Sequence, residues 1–231
     1  MDCEIDMAIL KEGIEAERLE ILHKRFVALW HRCVKPGLPD DAEASWKDLR
    51  DRYGEPHRRY HNLCHVYYCL RQIDLAASLM DDPDAGEMSI WYHDVIYEPR
   101  AKDNEKRSAG LFAWYGVDRF ADEFVSNVRH LILATEHPEV VTSGDACYIT
   151  DIDLSSFALP WEDFHRDNEH LREEQTDLSD TTYYAGKKRF LINLAARPRI
   201  FRTDFFHDLY EEQARNNIQR YLAELHSRTD R

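Results

Sequence analysis

Ser89-Ile90-Trp91-Tyr92-His93-Asp94-Val95-Ile96-Tyr97 decides how the rest of the chain is read. Aliphatic and aromatic residues surround one histidine and one aspartate. Such a run predicts a buried helix over about 85–97, stopped by Pro99. A carboxylate among apolar side chains is costly to bury unless it is paired or bound to a metal. Neighbouring helical positions differ by about 100°. A long imidazole arm and a short carboxylate arm can still converge on one ion between them. Taken alone, the pair reads more simply as a cap or a salt bridge to another helix.

Two further clusters change that balance. His61 and His65 are four residues apart, hence on one face of a helix predicted over about 60–80, with Val66, Leu70, Ile73 and Leu79 inward. Imidazole is a common ligand for zinc, iron and related ions. Asp151 and Asp153 flank Ile152 at the start of a short helix expected over about 151–157. A carboxylate from this pair, added to two imidazoles and Asp94, gives four protein ligands and leaves room for water on a six-coordinate ion.

The remaining chain also reads as helix. Leu10, Ile14, Leu19, Leu22, Phe26 and Leu29 recur at helical spacing over about 4–30, and Lys35-Pro36-Gly37-Leu38-Pro39 breaks the pattern. Further helices are expected over about 41–53, 103–115, 119–136, 160–174, 180–196 and 207–227. Asp103 reads as an N-cap and Gly116 as a C-terminal stop. The chain has no repeat, no phosphate-binding glycine loop and no convincing alternating strand. The expected architecture is therefore all-α, in one domain over the 231 residues.

The order His…His-Asp…Asp on successive helices resembles the HD phosphohydrolase superfamily. The likeness extends to Arg52-Tyr53-Gly54-Glu55-Pro56-His57-Arg58-Arg59-Tyr60-His61-Asn62-Leu63-Cys64-His65-Val66, to Trp91-Tyr92-His93-Asp94-Val95-Ile96-Tyr97 and to Asp103-Asn104-Glu105-Lys106-Arg107-Ser108-Ala109. Ala134-Thr135-Glu136-His137 and Ala214-Arg215-Asn216-Asn217 continue it. Over about 50–220 the chain is similar to bacterial proteins regarded as metal-dependent HD phosphohydrolases. The resemblance implies an HD-like helical bundle, with a metal-site core over about 50–160 and additional C-terminal helices over about 160–228. It implies a divalent metal (Mn, Mg, Zn, Fe or Co) held by His65, His93, Asp94 and one of Asp151 or Asp153, with Asp153 preferred. The expected substrate is a small phosphorylated metabolite, a nucleotide among the candidates.

Arg58 is the first candidate to grip phosphate, because its fork donates two parallel hydrogen bonds. His61 is the candidate proton donor or substrate contact, and Glu105 the candidate for orienting attacking water. Asn104 and His137 fall near places where some HD relatives hold a second metal, and both are expected to face substrate. That leaves a second metal compatible with the pattern. Two other readings remain: a non-catalytic helical module with a structural metal, and an HD-type di-iron oxygenase drawing extra nitrogen ligands from His137 with His61 or His130.

The formal net charge of −14 disfavours nonspecific binding to nucleic-acid polymer or anionic membrane. A small phosphorylated anion held by a metal and a local basic cluster is not disfavoured. No apolar run approaches the roughly 20 residues that cross a bilayer. The opening 20 residues are acidic and mixed, unlike a signal peptide. Five cysteines (Cys3, Cys33, Cys64, Cys69, Cys147) form no C-x-x-C pair, so free thiols and a cytoplasmic location are expected. Self-association is left open.

Overall fold

The computed structural model describes residues 16–137 and 144–229. Among these residues the fold is all-helical. Ten α-helices run in order: α1 (Ala16–Cys33), α2 (Ala42–Tyr53), α3 (Leu63–Ala76), α4 (Pro83–Tyr92), α5 (Asn104–Gly116), α6 (Asp122–Ala134), α7 (Asp145–Leu154), α8 (Trp161–Glu173), α9 (Asp180–Ala195) and α10 (Asp204–Thr229). Short 3-10 turns extend α3 (Ala77–Leu79) and α7 (Ser155–Ala158). No helix of the described residues is long and apolar enough to cross a membrane. Leu10 and Ile14, expected on the first helix, and Cys3 lie outside the described residues.

The core is one cluster. Phe26 and Trp30 of α1, Trp46 of α2, Trp91 and Tyr92 of α4 and Phe112 of α5 are all buried in it. The ring of Phe26 meets that of Trp91 edge-on at 5.4 Å. The same cluster takes in Leu191 of α9 and Ile218 and Tyr221 of α10. Asn217 of α10 donates to the carbonyls of Phe157 and Leu159, both at 2.8 Å. The Tyr210 hydroxyl donates to Gln72 of α3 at 2.7 Å. Helix α4 is buried along nearly its whole length, as its unbroken apolar run requires.

Several boundaries depart from the sequence pattern, each for a local reason. The helix expected over 85–97 starts two residues earlier, because Asp82 accepts the Ala85 N–H at 3.0 Å and Pro83 suits the first turn. It ends at Tyr92, so His93 and Asp94 lie in the turn that follows. Helix α3 starts at Leu63 rather than 60, with Asn62 accepting the Cys64 N–H at 2.8 Å. Leu79, expected inward, is 49% exposed at the tip of the 3-10 turn. Asp103 precedes α5 without a side-chain cap bond. Helix α6 is shorter at both ends than expected. Helix α7 begins at Asp145, six residues before the expected start, and Asp145 accepts the N–H groups of Asp81 and Asp82, both at 2.8 Å. Helix α10 begins at Asp204 rather than 207.

Candidate metal centre

Three elements bring four side chains together. His65 is on the first turns of α3, His93 and Asp94 leave the end of α4, and Asp153 is near the end of α7. The break after Tyr92 is what lets His93 and Asp94 face one point. It is held open by Arg58, whose guanidinium donates to the carbonyls of Asp94 at 2.6 Å and Val95 at 3.0 Å. Those carbonyls belong to the turn and have no helical partner, so the arginine supplies their missing donors.

His65 Nε2 lies 3.2 Å from His93 Nε2, 3.4 Å from Asp153 Oδ1 and 3.7 Å from Asp94 Oδ2. His93 Nε2 lies 3.0 Å from Asp94 Oδ2 and 3.7 Å from Asp153 Oδ1. Ligands about 2.1 Å from one ion stand about 3.0 Å apart at right angles and about 3.4 Å apart at the tetrahedral angle. The observed separations bracket both. His65, His93 and Asp153 thus form a group that can hold a metal ion, and Asp94 adjoins it through both imidazoles.

The proton positions favour the same conclusion. His93 Nδ1–H donates to the Ile90 carbonyl at 2.8 Å, which leaves the Nε2 lone pair facing the cluster. Lone pairs of one imidazole and two carboxylates then point inward at buried residues, which only a cation or a proton satisfies. Burial alone would lower the proton affinity of His93, but Asp94 and Asp153 outweigh it and lift the pKa to about 9. Burial would raise Asp94; His93, His61 and His65 hold it far below the usual carboxylate range. Burial would likewise raise Asp153, but hydrogen bonds from His137 and His65 keep it low.

Asp151 is not part of the centre. Two helical residues apart is about 200° of rotation, so Asp151 and Asp153 face opposite ways. Asp151 accepts the Arg202 N–H at 2.7 Å, the Thr203 N–H at 2.8 Å and the Thr203 hydroxyl at 2.7 Å, fixing the entry to α10.

Of the remaining sequence candidates, His137 contacts the centre and Glu105 lies within electrostatic reach of it. His137 shares a hydrogen bond with Asp153, Nε2 to Oδ2 at 2.8 Å, from a left-handed backbone φ of +52°, a region uncommon for residues other than glycine, with asparagine, aspartate and histidine its usual occupants. Glu105 is half-buried at the start of α5, and burial followed by repulsion from Asp94, Glu136 and Asp153 raises its pKa. Two others do not face substrate. Arg58 is 6% exposed, and its nitrogens bond Glu55 and the carbonyls of His61, Asp94 and Val95. The expectation that it grips phosphate is corrected: its fork holds the turn. Asn104 closes a two-way clamp on the Glu98 backbone, 3.0 Å in each direction, and is 7% exposed. His130 lines a separate acidic cavity with Asp81, Asp82 and Asp145.

The residue that sequence reasoning missed is Glu174. It follows α8, and its side chain is fully buried. Its Oε1 accepts the consecutive N–H groups of Arg59, Tyr60 and His61 at 2.8, 2.8 and 2.9 Å. That capture explains why α3 cannot begin before Leu63. His61 Nδ1–H donates to Glu174 Oε2 at 2.6 Å, and the imidazole stacks on Tyr97 at 4.0 Å. Burial works to raise Glu174, but His61 and the backbone donors hold its pKa down at about 2. Burial works to lower His61, but Asp94, Glu174 and Asp153 raise its pKa. The arrangement is a carboxylate–imidazole pair beside a cation-seeking cluster, with Nε2 left for other chemistry.

No family model matches the chain, and no curated protein or solved structure matches it.

Proposed function

We propose that this chain is a metal-dependent phosphohydrolase acting on a small phosphorylated metabolite, with nucleotides among the candidates. His65, His93, Asp94 and Asp153 would hold a divalent ion. Two imidazoles with two carboxylates suit Mn, Fe, Co or Zn better than an all-oxygen site suits them. When bound, such an ion neutralises phosphoryl charge and lowers the pKa of its water. The observation that carries the reading is the His61–Glu174 pair beside the four-ligand cluster.

Glu174 fixes the tautomer of His61 and keeps its ring oriented, as a carboxylate does for a catalytic imidazole. His61 would hold the proton destined for the leaving oxygen at Nε2. With Nδ1–H given to Glu174, Nε2 is the ring atom left to carry that proton. Glu105, half-buried at the start of α5, would accept a proton from the attacking water. Asp94 and Asp153 keep part of their side chains, 13% and 16%, open to solvent, so the cluster has an accessible side. Structural metal sites are normally closed, which favours the hydrolase over a non-catalytic module.

The test is a screen of purified protein, supplied in turn with Mn, Mg, Zn, Fe and Co, against nucleotides, alarmones and sugar phosphates. Metal-dependent release of phosphate or pyrophosphate is expected, with loss of both metal and turnover in Asp94→Ala. Unimpaired turnover in that variant would remove the centre from the chemistry. Two irons per chain with oxygen consumption would replace the reading by an oxygenase.

A further inference from the structure

Asp153 offers two oxygens, and the fold divides them. Oδ1 faces the cluster, 3.4 Å from His65 Nε2 and 3.7 Å from His93 Nε2. Oδ2 turns instead to His137 Nε2 at 2.8 Å. An ionised carboxylate only accepts hydrogen bonds, so the imidazole is the donor. The other ring nitrogen, Nδ1, is buried with no hydrogen-bond partner among the described residues. Asp153 is therefore the ring's one polar anchor among those residues.

The end of α6 is wound to bring that ring into place. The N–H groups of Thr135, Glu136 and His137 bond the carbonyls of Ile132, Leu133 and Ala134 at 3.1, 3.2 and 3.2 Å, each to the residue three before it, as in a tight 3-10 turn. His137 follows in the left-handed region. The Thr150 hydroxyl of α7 reaches the Ala134 carbonyl at 3.4 Å, and Thr150 and Asp153, three residues apart, share a face of that helix. Helix α7 thus meets the end of α6 at two neighbouring points, one of them the bond between His137 and Asp153. Left-handed backbone outside glycine costs free energy and gathers where a site requires it.

A ring nitrogen that carries a proton has no lone pair for a metal. While His137 Nε2–H is held by Asp153 Oδ2, that atom is not a ligand, and its work on an ion passes through the carboxylate. Ligating carboxylates are commonly held by such outer hydrogen bonds, and losing one weakens metal binding about 10–100-fold.

We infer that His137 is a positioning residue of the metal centre: it holds Asp153 Oδ2 aside, so that Oδ1 alone is presented to the ion, and thereby tightens the hold on that ion. This deepens the hydrolase reading and rests on its metal centre for the presence of an ion. Zinc affinity, measured on the full chain by competition with a chromogenic chelator, tests it without turnover. The wild type should bind one zinc, and His137→Ala should bind it about 10–100-fold more weakly. His137→Asn and His137→Gln separate the contact from the fold. Asparagine tolerates left-handed backbone, but its amide reaches only as far as Nδ1 of the histidine ring, whereas the glutamine amide reaches as far as Nε2. Metal-free His137→Asn should melt like the wild type and yet bind zinc as weakly as His137→Ala, and His137→Gln should recover most of the affinity. Wild-type affinity in His137→Ala and His137→Asn would overturn the inference. Two zinc ions on the wild type, with His137→Ala losing one and holding the other unchanged, would overturn it too, because the ring would then be a ligand. Equal weakening in all three variants alongside lowered melting temperatures would reduce His137 to a structural role and sink the inference as well. A wild type that binds no zinc would remove both the inference and the centre. If the affinities fall as expected while no ester is hydrolysed, His137 keeps this role and the hydrolase reading falls. If esters are hydrolysed while His137→Ala holds zinc normally, this role falls and the hydrolase reading stands.

Discussion

Glu174→Gln separates the electrostatic role of this buried carboxylate from its shape. The carboxylate is fully enclosed and accepts three backbone N–H groups and one imidazole N–H. Burial alone would raise its pKa above 4.5, yet it is held at about 2. The ionised form is therefore bound more tightly in the folded chain than in the unfolded one. At about 1.4 kcal/mol per unit, the contribution is about 3 kcal/mol. It is complete at pH values above the unfolded pKa near 4.5 and is lost as pH falls through about 2. Glutamine keeps one acceptor oxygen but turns an amide donor, or forces a flip, against the His61 N–H. Thermal unfolding of metal-free protein at neutral pH should show a melting temperature lower by roughly 6–12 °C, at about 2–4 °C per kcal/mol for a chain of this size. The gap between variant and wild type should close toward pH 2. A loss under about 1 kcal/mol at neutral pH, or a gap that persists undiminished in acid, would refute this account of Glu174.

Three further outcomes are expected. Asp153→Ala should lower metal content sharply, whereas Asp151→Ala should keep the metal and lose about 2–4 kcal/mol, because three donors at the α10 entry are left without their acceptor; elemental analysis and urea unfolding distinguish the pair. Divalent metal added at about a hundred times its dissociation constant should stabilise the wild type by about 2.7 kcal/mol and leave Asp94→Ala unmoved in a thermal shift assay. Asn104→Ala should cost about 1–3 kcal/mol in unfolding experiments through the broken Glu98 clamp, with metal content and KM unchanged; a raised KM would restore the substrate role expected from sequence.

What could be read in the sequence was whatever local chemistry writes twice. The helical class followed from apolar spacing that the core cluster repeats, as with Leu22, Phe26 and Leu29 on α1. The gathering of His65, His93 and Asp153 was expected from the resemblance to HD proteins, since each cluster alone reads as readily as a cap or a hydrogen-bonded pair. The choice between Asp151 and Asp153 was open until the helix was built, because both are acids beside Ile152 and rotation about the axis alone separates them. Arg58 and Asn104 were misjudged for one reason. A polar residue beside a site looks like a substrate contact in one dimension, while in the fold each answers a backbone group that the broken helix left unpaired. Glu174 gave no signal, since it sits in a charged stretch indistinguishable from a solvated helix end, 113 residues from His61.

The break after Tyr92 also explains how Asp94 comes to face the imidazoles. Had α4 continued to 97 as its apolar pattern invites, the carbonyls of Asp94 and Val95 would face along the helix, and Arg58 would have no acceptors to fix it. The ordered turn costs helical hydrogen bonds, and Arg58 replaces two of them with charge-assisted ones. It thereby aims Asp94 at the imidazoles and makes that end of the molecule cation-seeking.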